Sequence, residues 1–155
     1  MDLRYLPDDD TMTMVPLMEG ADDELAPVVS NDGKWMAYVS NYSGNDEIYV
    51  TSFPQIGARL QLSTKGGTSP VWAPDGSALY YFEGNSVIAV SIETEPRFRV
   101  TGRETLFEGE YVQYRWSRQY DIMPDGKRFI LVRNPGRGNV EVVTNWFAEL
   151  RESGN

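Results

Sequence analysis

The sequence contains neither histidine nor cysteine. Zinc sites built on imidazole or thiolate are therefore excluded within the chain, and so are Ser-His-Asp catalysis, Cys-His catalysis and disulfide bonds. A Gly-x-Ser-x-Gly nucleophile elbow and a glycine-rich phosphate loop are also missing. With 23 Asp and Glu residues, nothing in the pattern selects a carboxylate pair suited to glycoside chemistry. We therefore predict no catalytic residue, no metal and no cofactor.

Positive charge is scarce, since 14 Lys and Arg face 23 Asp and Glu and give a formal net charge of −9. Such a chain repels nucleic-acid phosphates and anionic lipid, so we predict no nucleic-acid partner. No apolar run is long enough to cross a bilayer, and the first residues, MDLRYLPDDD, lack the features of a signal peptide. We expect no membrane insertion. A cytoplasmic location is expected if the chain is complete as given, and a periplasmic or extracytoplasmic one if it belongs to a longer exported protein.

One phrase occurs three times along the chain: a short apolar run, an Asp-Gly turn and a longer apolar run. It covers residues 27–40 (PVVSNDGKWMAYVS), 70–82 (PVWAPDGSALYYF) and 120–132 (YDIMPDGKRFILV). The Asp residues are spaced by 43 and then 50 positions. A period of this size built from strands and turns is typical of β-propeller blades. The turns are Asp32-Gly33, Asp75-Gly76 and Asp125-Gly126, in which Gly supplies a positive φ and Asp bonds to the backbone.

Strand and turn signals divide the chain into four parts. Residues 1–25 form two strands of an incomplete blade, and their acidic triplet 8–10 is interpreted as a solvated turn. Residues 26–64 and 65–107 each form a four-stranded blade, the last strand of the second being placed at 104–107. Residues 108–155 comprise a connector, an incomplete blade and a short C-terminal tail with one or two helical turns. The prediction is an all-β partial propeller of about three four-stranded antiparallel blades.

The strand after each Asp-Gly is apolar at nearly every position. Met36, Leu79 and Phe129 stand at equivalent positions of these strands. The three residues that follow each of them are apolar too. A strand that is apolar on both sides is covered on both sides. We therefore expect these strands to lie between neighbouring blades, because a two-layer sandwich would show a cleaner alternation.

In the runs WAPDGSALYYF, MPDGKRFILV and GNDEIYV, the sequence resembles the TolB-type propeller repeat, with Asn31 in place of Pro in the first copy. The order SGNDEIYVTSFP, STKGGTSPVWAPDG and VVTNWFAEL resembles the C-terminal end of bacterial TolB-like propellers, some of which follow protein kinase domains. The family's rings usually have six or more blades, so the resemblance implies about half a ring here. We expect a homodimer to complete a six-bladed ring, with residues 1–18 of one copy completing the blade begun by residues 120–145 of the other.

In an up-and-down blade, the Asp-Gly turns lie on one face of the disc and the other loops on the opposite face. The opposite face is predicted to hold aromatic and arginine side chains of the kinds that form binding hot spots. These candidate binding residues are Tyr42, Tyr111, Tyr114, Arg115, Trp116 and Arg118. A structural alternative is that the aromatic rings pack down on the blades and the arginines pair with surface carboxylates.

The fold resemblance is weak evidence for function, because propellers host many roles. The interpretation we favour is a non-enzymatic binding or scaffold module that presents a propeller face to a protein partner. One alternative is the substrate-binding or gating propeller of an enzyme whose catalytic domain is elsewhere. Another is a carbohydrate-binding surface at Tyr114 and Trp116.

Overall fold

The structure is a computed structural model that describes residues 1–8, 13–133 and, for the backbone alone, 139–144. Within these ranges it contains strands and no helix, and every pair of neighbouring strands is antiparallel. The strands form two four-stranded sheets, one three-stranded sheet and one two-stranded sheet. The prediction of an all-β partial propeller is therefore confirmed.

The thirteen described strands follow one another as simple meanders. They are β1 (Leu3–Tyr5), β2 (Val15–Met18), β3 (Glu24–Val29), β4 (Trp35–Ser40), β5 (Glu47–Ser52), β6 (Leu60–Gln61), β7 (Thr68–Trp72), β8 (Ala78–Glu83), β9 (Ser86–Glu93), β10 (Arg99–Glu108), β11 (Tyr120–Ile122), β12 (Arg128–Arg133) and β13 (Asn139–Thr144). Strands β3–β6 make the first blade, β7–β10 the second and β11–β13 the third sheet, while β1 pairs with β2.

The sheets stack face to face, with a layer of apolar side chains between each neighbouring pair. Leu3 and Met18 of the β1–β2 pair contact the first blade beside Met36 and Tyr38. Between the two complete blades lie eleven buried residues, and another eleven lie between the second blade and the third sheet. The rings of Tyr80 and Phe129 meet edge to face in the last layer, with centroids 5.0 Å apart. This burial of apolar surface stabilises the stack.

The strands that follow the Asp-Gly turns show where the stack is open. In β4 and β8 almost every residue is buried, because each lies between two other sheets. In β12 the buried residues Phe129 and Leu131 alternate with the partly exposed Ile130 and Val132. The expectation of two covered faces thus holds for the two complete blades. It does not hold for β12, because no described sheet packs on its second face.

Strand order shows which blade positions the two ends occupy. The outermost strand of each complete blade leads directly to the innermost strand of the next, as β6 leads to β7. Because β2 leads to the innermost strand β3 in the same way, β2 holds an outermost position and β1 a third one. The strand β13 also holds a third position. If two copies shared a blade, both β1 of one copy and β13 of the other would occupy its third position. The prediction that residues 1–18 complete the blade of the other copy did not include this overlap.

Two strands begin earlier than the sequence pattern indicated. The first blade begins at Glu24, although residues 1–25 were assigned to the preceding strands, because Glu24 pairs with Ser40 across the sheet. The outer strand β10 begins at Arg99, before the strand predicted at 104–107. Its first residues are mostly exposed and carry no apolar pattern, although their backbone pairs with β9. The predicted C-terminal helical turns lie outside the described residues.

Candidate functional site

The loops of the stack fall on two faces. One, which we call the turn face, carries the hairpin loops 30–34, 73–77 and 123–127. The other, which we call the connector face, carries the loops 41–46, 62–67 and 84–85 and the connector, residues 109–119. This division follows from the meander, because successive connections alternate between the two ends of the strands.

The turn face is built from three copies of one local arrangement. Gly33, Gly76 and Gly126 have φ of +71°, +75° and +67°, and each donates its backbone N–H to the carbonyl three residues earlier. The side chain of each turn Asp accepts a hydrogen bond from the backbone N–H two residues later, at 2.9–3.1 Å. These bonds lower the pKa of Asp75 and Asp125, the backbone N–H being the first cause in both cases. The turn aspartates thus have local partners that hold the hairpins.

The connector face is joined by bonds between distant parts of the chain. Thr68 donates a hydrogen bond to the side chain of Gln113 at 3.1 Å, and Gln113 donates one to the carbonyl of Gly84 at 2.8 Å. Ser69 donates to the carbonyl of Ser117 at 3.5 Å. These contacts hold the connector against the second blade before it enters the third sheet.

Arg115 extends the connector to the first blade. Its guanidinium forms a two-pronged ion pair with Asp46, one of whose contacts is 2.8 Å long, and its Nη2 lies 3.6 Å from Asp23. The hydrogen bond to Asp46 is the first cause that raises the pKa of Arg115. A forked guanidinium–carboxylate contact fixes direction as well as distance. Arg115 therefore fixes the turn between Tyr114 and Ser117 against the first blade.

Beside this clamp lies a second arginine that the sequence pattern did not single out. The guanidinium of Arg59 stands 4.6 Å from the ring centroid of Tyr42. Its Nη2 lies 3.4 Å from Glu24, whose side chain is 1% exposed. Burial is the first cause that raises the pKa of Glu24, and the charge of Arg59 opposes it. Burial likewise raises the pKa of the nearby Tyr38 to about 12. No local motif marks Arg59, because its partner Glu24 lies 35 residues away.

Tyr114 and Trp116 are the exposed aromatic pair of the connector. Their rings are stacked, with centroids 5.6 Å apart and an interplanar angle of 17°, and they are 45% and 66% exposed. They flank Arg115, whose clamp holds the turn that carries them. Aromatic side chains held rigidly in solvent offer contact area at a small entropic cost on binding.

The other predicted binding residues lie in three different surroundings. Tyr111 packs on Phe82 and Phe107 in the interior edge of the stack. Arg118 pairs with Asp121 at 3.4 Å, on the side of the third sheet. Tyr42 lies on the connector face under Arg59. The structure therefore brings Tyr42, Tyr114, Arg115 and Trp116 to one face. Tyr111 packs, and Arg115 and Arg118 pair with carboxylates, as in the structural alternative.

A groove of about 540 Å³ opens on the connector face between the first two blades. Its lining residues include Asp46, Lys65, Gly66, Gly67 and Gln113. Gly67 lies against Ile48 and Ser63 so closely that a Cβ atom would come within 2.6 Å of each. The groove is open to solvent, which suits an extended segment better than an enclosed small molecule.

Among the described residues, no group of three or more Asp and Glu side chains is arranged to hold a metal ion. Nor does that part of the chain contain a helix with the length and apolar character needed to span a membrane.

Comparison with known proteins agrees with the architecture. No family model matches the chain. Over 56 residues, 35% of its length, the chain is 34% identical to the Tol-Pal system protein TolB of Desulfotalea psychrophila, and the match covers 13% of that protein. The structure is similar to that of TolB from Acinetobacter baumannii, with a TM-score of 0.58 and 22% identity, over 87% of this chain and 36% of that one. It is also similar to an oligogalacturonate lyase from Vibrio parahaemolyticus, with a TM-score of 0.59 and 16% identity, over 84% and 35% of the two chains.

Stacked antiparallel meanders of four strands define the class of this protein as a segment of a β-propeller. The TolB matches in sequence and in fold support, more narrowly, a TolB-like propeller relationship. The chain spans little more than a third of the length of the matched structures.

Proposed function

We propose that the chain is a non-enzymatic scaffold module whose connector face binds a protein partner. The observation that carries the proposal is the exposed aromatic pair, Tyr114 and Trp116, held against the first blade by the Arg115 clamp. Trp, Tyr and Arg are the residues most enriched at the energetic centres of protein interfaces. A TolB-like fold favours the same role, and the groove beside the pair provides room for an extended segment.

An enzymatic role as a substrate-binding or gating propeller is the second candidate, and the likeness to an oligogalacturonate lyase favours it. That likeness is one of fold, and the chain contains no histidine or cysteine on which nucleophilic or metal chemistry commonly depends. A carbohydrate surface at the aromatic pair belongs to the same group of alternatives, because flat exposed rings also stack on sugars. The two kinds of ligand are separable by experiment.

The test presents the purified chain and its Trp116→Leu variant to a glycan array and to a library of displayed random peptides. The expected result is a set of peptides whose binding depends on Trp116 and no glycan with that dependence. Glycans that require Trp116 would contradict the proposal and favour the carbohydrate alternative. Failure to select any Trp116-dependent peptide would also contradict it. Because Trp116 is exposed, its replacement is expected to leave the fold intact.

We also propose that a second copy of the chain covers its open ends in a six-bladed ring. Two observations support this proposal. The second face of β12 is half-exposed, and among the described strands β1 pairs with β2 alone, so its other edge is open. The innermost strands β11 and β12 of one copy would join β1 and β2 of the other, and β13 would be displaced or added as a fifth strand. Light scattering on the purified chain is expected to give twice the chain mass. A single species of one chain mass at all concentrations would rule out the dimer.

A further inference from the structure

We infer that the aromatic pair binds a cationic side chain, so that the partner presents a basic segment to the connector face. The inference rests on the proposed protein-binding function and adds the chemistry of the partner. It starts from how the chain holds its own arginines on aromatic rings.

Two arginines of the chain are held between a tyrosine ring and a carboxylate. Arg59 lies 4.6 Å from the ring centroid of Tyr42 and pairs with Glu24. Arg103 lies 5.5 Å from the ring centroid of Tyr81 and pairs with Glu83. In both places the ring attracts the cation through its quadrupole while the carboxylate supplies the direct charge.

Tyr114 and Trp116 form a third aromatic platform, and no cation of the described residues lies over either ring. The two neighbouring arginines are engaged elsewhere, Arg115 with Asp46 and Arg118 with Asp121. The rings stack on each other, and Trp116 remains 66% and Tyr114 45% exposed. Indole is the ring on which a cation is held most strongly.

The charges around the platform favour a basic partner over an acidic one. On the adjoining part of the connector face, four carboxylates face two guanidiniums and the amino group of Met1. The carboxylates are those of Asp22, Asp23, Glu24 and Asp46, and the guanidiniums are those of Arg59 and Arg115. The whole chain carries a net charge of −9, which attracts a basic segment and repels an acidic one. A neutral glycan would gain nothing from this field.

The experiment uses peptides selected on the whole chain from a random displayed library, in a buffer of physiological salt, with counter-selection on Trp116→Leu. Enrichment of Lys and Arg in the Trp116-dependent peptides is the expected result. Replacing the enriched arginines by citrulline, which keeps the shape and removes the charge, should weaken binding about tenfold. Trp116→Leu should weaken the arginine peptide by a similar factor, and Trp116→Phe should weaken it less, because Phe keeps an aromatic face.

The outcomes separate this inference from the function on which it rests. Trp116-dependent peptides without basic residues, or peptides that bind equally well with citrulline, would overturn the inference and leave the protein-binding function standing. The absence of Trp116-dependent peptides would overturn both. Val100→Ala, which removes exposed apolar surface on the outer strand β10, is the control and should leave the affinity unchanged. Equal weakening by this variant would show that the peptides adhere non-specifically to exposed apolar surface, and it would also overturn the inference.

Discussion

The turn aspartates and the connector obtain their polar contacts in opposite ways, although Asn31 also reaches the carbonyl of Pro74 and Lys34 reaches Glu95 across the turn face. On the turn face, each Asp of the repeated phrase bonds to backbone two residues away, so the contact is local. On the connector face, Arg115 reaches Asp46 across 69 residues and Thr68 reaches Gln113 across 45. The repeated motif therefore builds hairpins one at a time, whereas the connector face exists once the blades have stacked. The proposed binding residues lie where the chain does not repeat itself.

The largest loss of stability is expected when a long-range contact of the connector face is removed. Arg59→Met removes the cation beside the buried Glu24 and should destabilise the fold by about 2–3 kcal/mol at neutral pH. The pKa of Glu24 is already raised from 4.5, so its contribution to stability is present below that pH and lost as pH rises. The loss caused by Arg59→Met should therefore be greatest at neutral pH and should shrink as pH falls below 4.5. Denaturant unfolding of the parent chain and of Arg59→Met, at neutral pH and at a pH below 4.5, measures this difference in stability.

Glu24→Gln added to Arg59→Met is the control for this prediction, because it removes the unpaired buried charge. The double variant should regain part of the lost stability. The pH dependence that Arg59→Met adds should disappear. A double variant no more stable than Arg59→Met at neutral pH would show that the ion pair does not cause the effect.

A somewhat smaller effect is expected under the groove of the connector face. Gly67→Ala places a Cβ 2.6 Å from Ile48 Cγ1 and 3.1 Å from the Ile48 backbone nitrogen, which cannot move freely. Overpacking of this kind should destabilise the fold by about 1–3 kcal/mol in thermal or denaturant unfolding. Gly20→Ala is the matched control, because its Cβ would lie 4.0 Å from the nearest non-adjacent atom, the backbone nitrogen of Asp22. If both variants are equally stable, the close packing beneath the groove has no energetic weight.

The smallest stability effect is expected on the turn face. Asp75→Ala removes the bond to the backbone N–H of Ser77 and should cost at most about 1 kcal/mol. The bonds that lower the pKa of Asp75 below 3.8 add stability above that pH, and this stability is lost as pH falls through the lower folded pKa. The difference between the parent chain and Asp75→Ala should therefore narrow below pH 3.8. A difference that grows on acidification would contradict the assigned role of the carboxylate.

The same contrast explains what the sequence could predict. The strands β4 and β12 follow from the Asp-Gly turns and from the longer apolar run of each repeated phrase, and both begin within two residues of their turn glycine. The start of β10 was missed because Arg99 and Val100 are exposed and their strand is defined by backbone pairing alone. The placement of Tyr114, Arg115 and Trp116 opposite the Asp-Gly turns followed from the meander. The contact between Arg59 and Glu24 had no sequence signal, since the two residues are 35 positions apart and lie towards opposite edges of the first blade.

The most direct test of the division between the two faces compares Trp116→Leu with Asp75→Ala in both stability and peptide binding. Trp116→Leu is expected to weaken binding of a selected peptide about tenfold and to change the free energy of unfolding by less than about 0.5 kcal/mol. Asp75→Ala is expected to lower stability and leave the affinity within about twofold of the parent chain. An affinity that falls equally in both variants, or that survives in Trp116→Leu, would contradict the account.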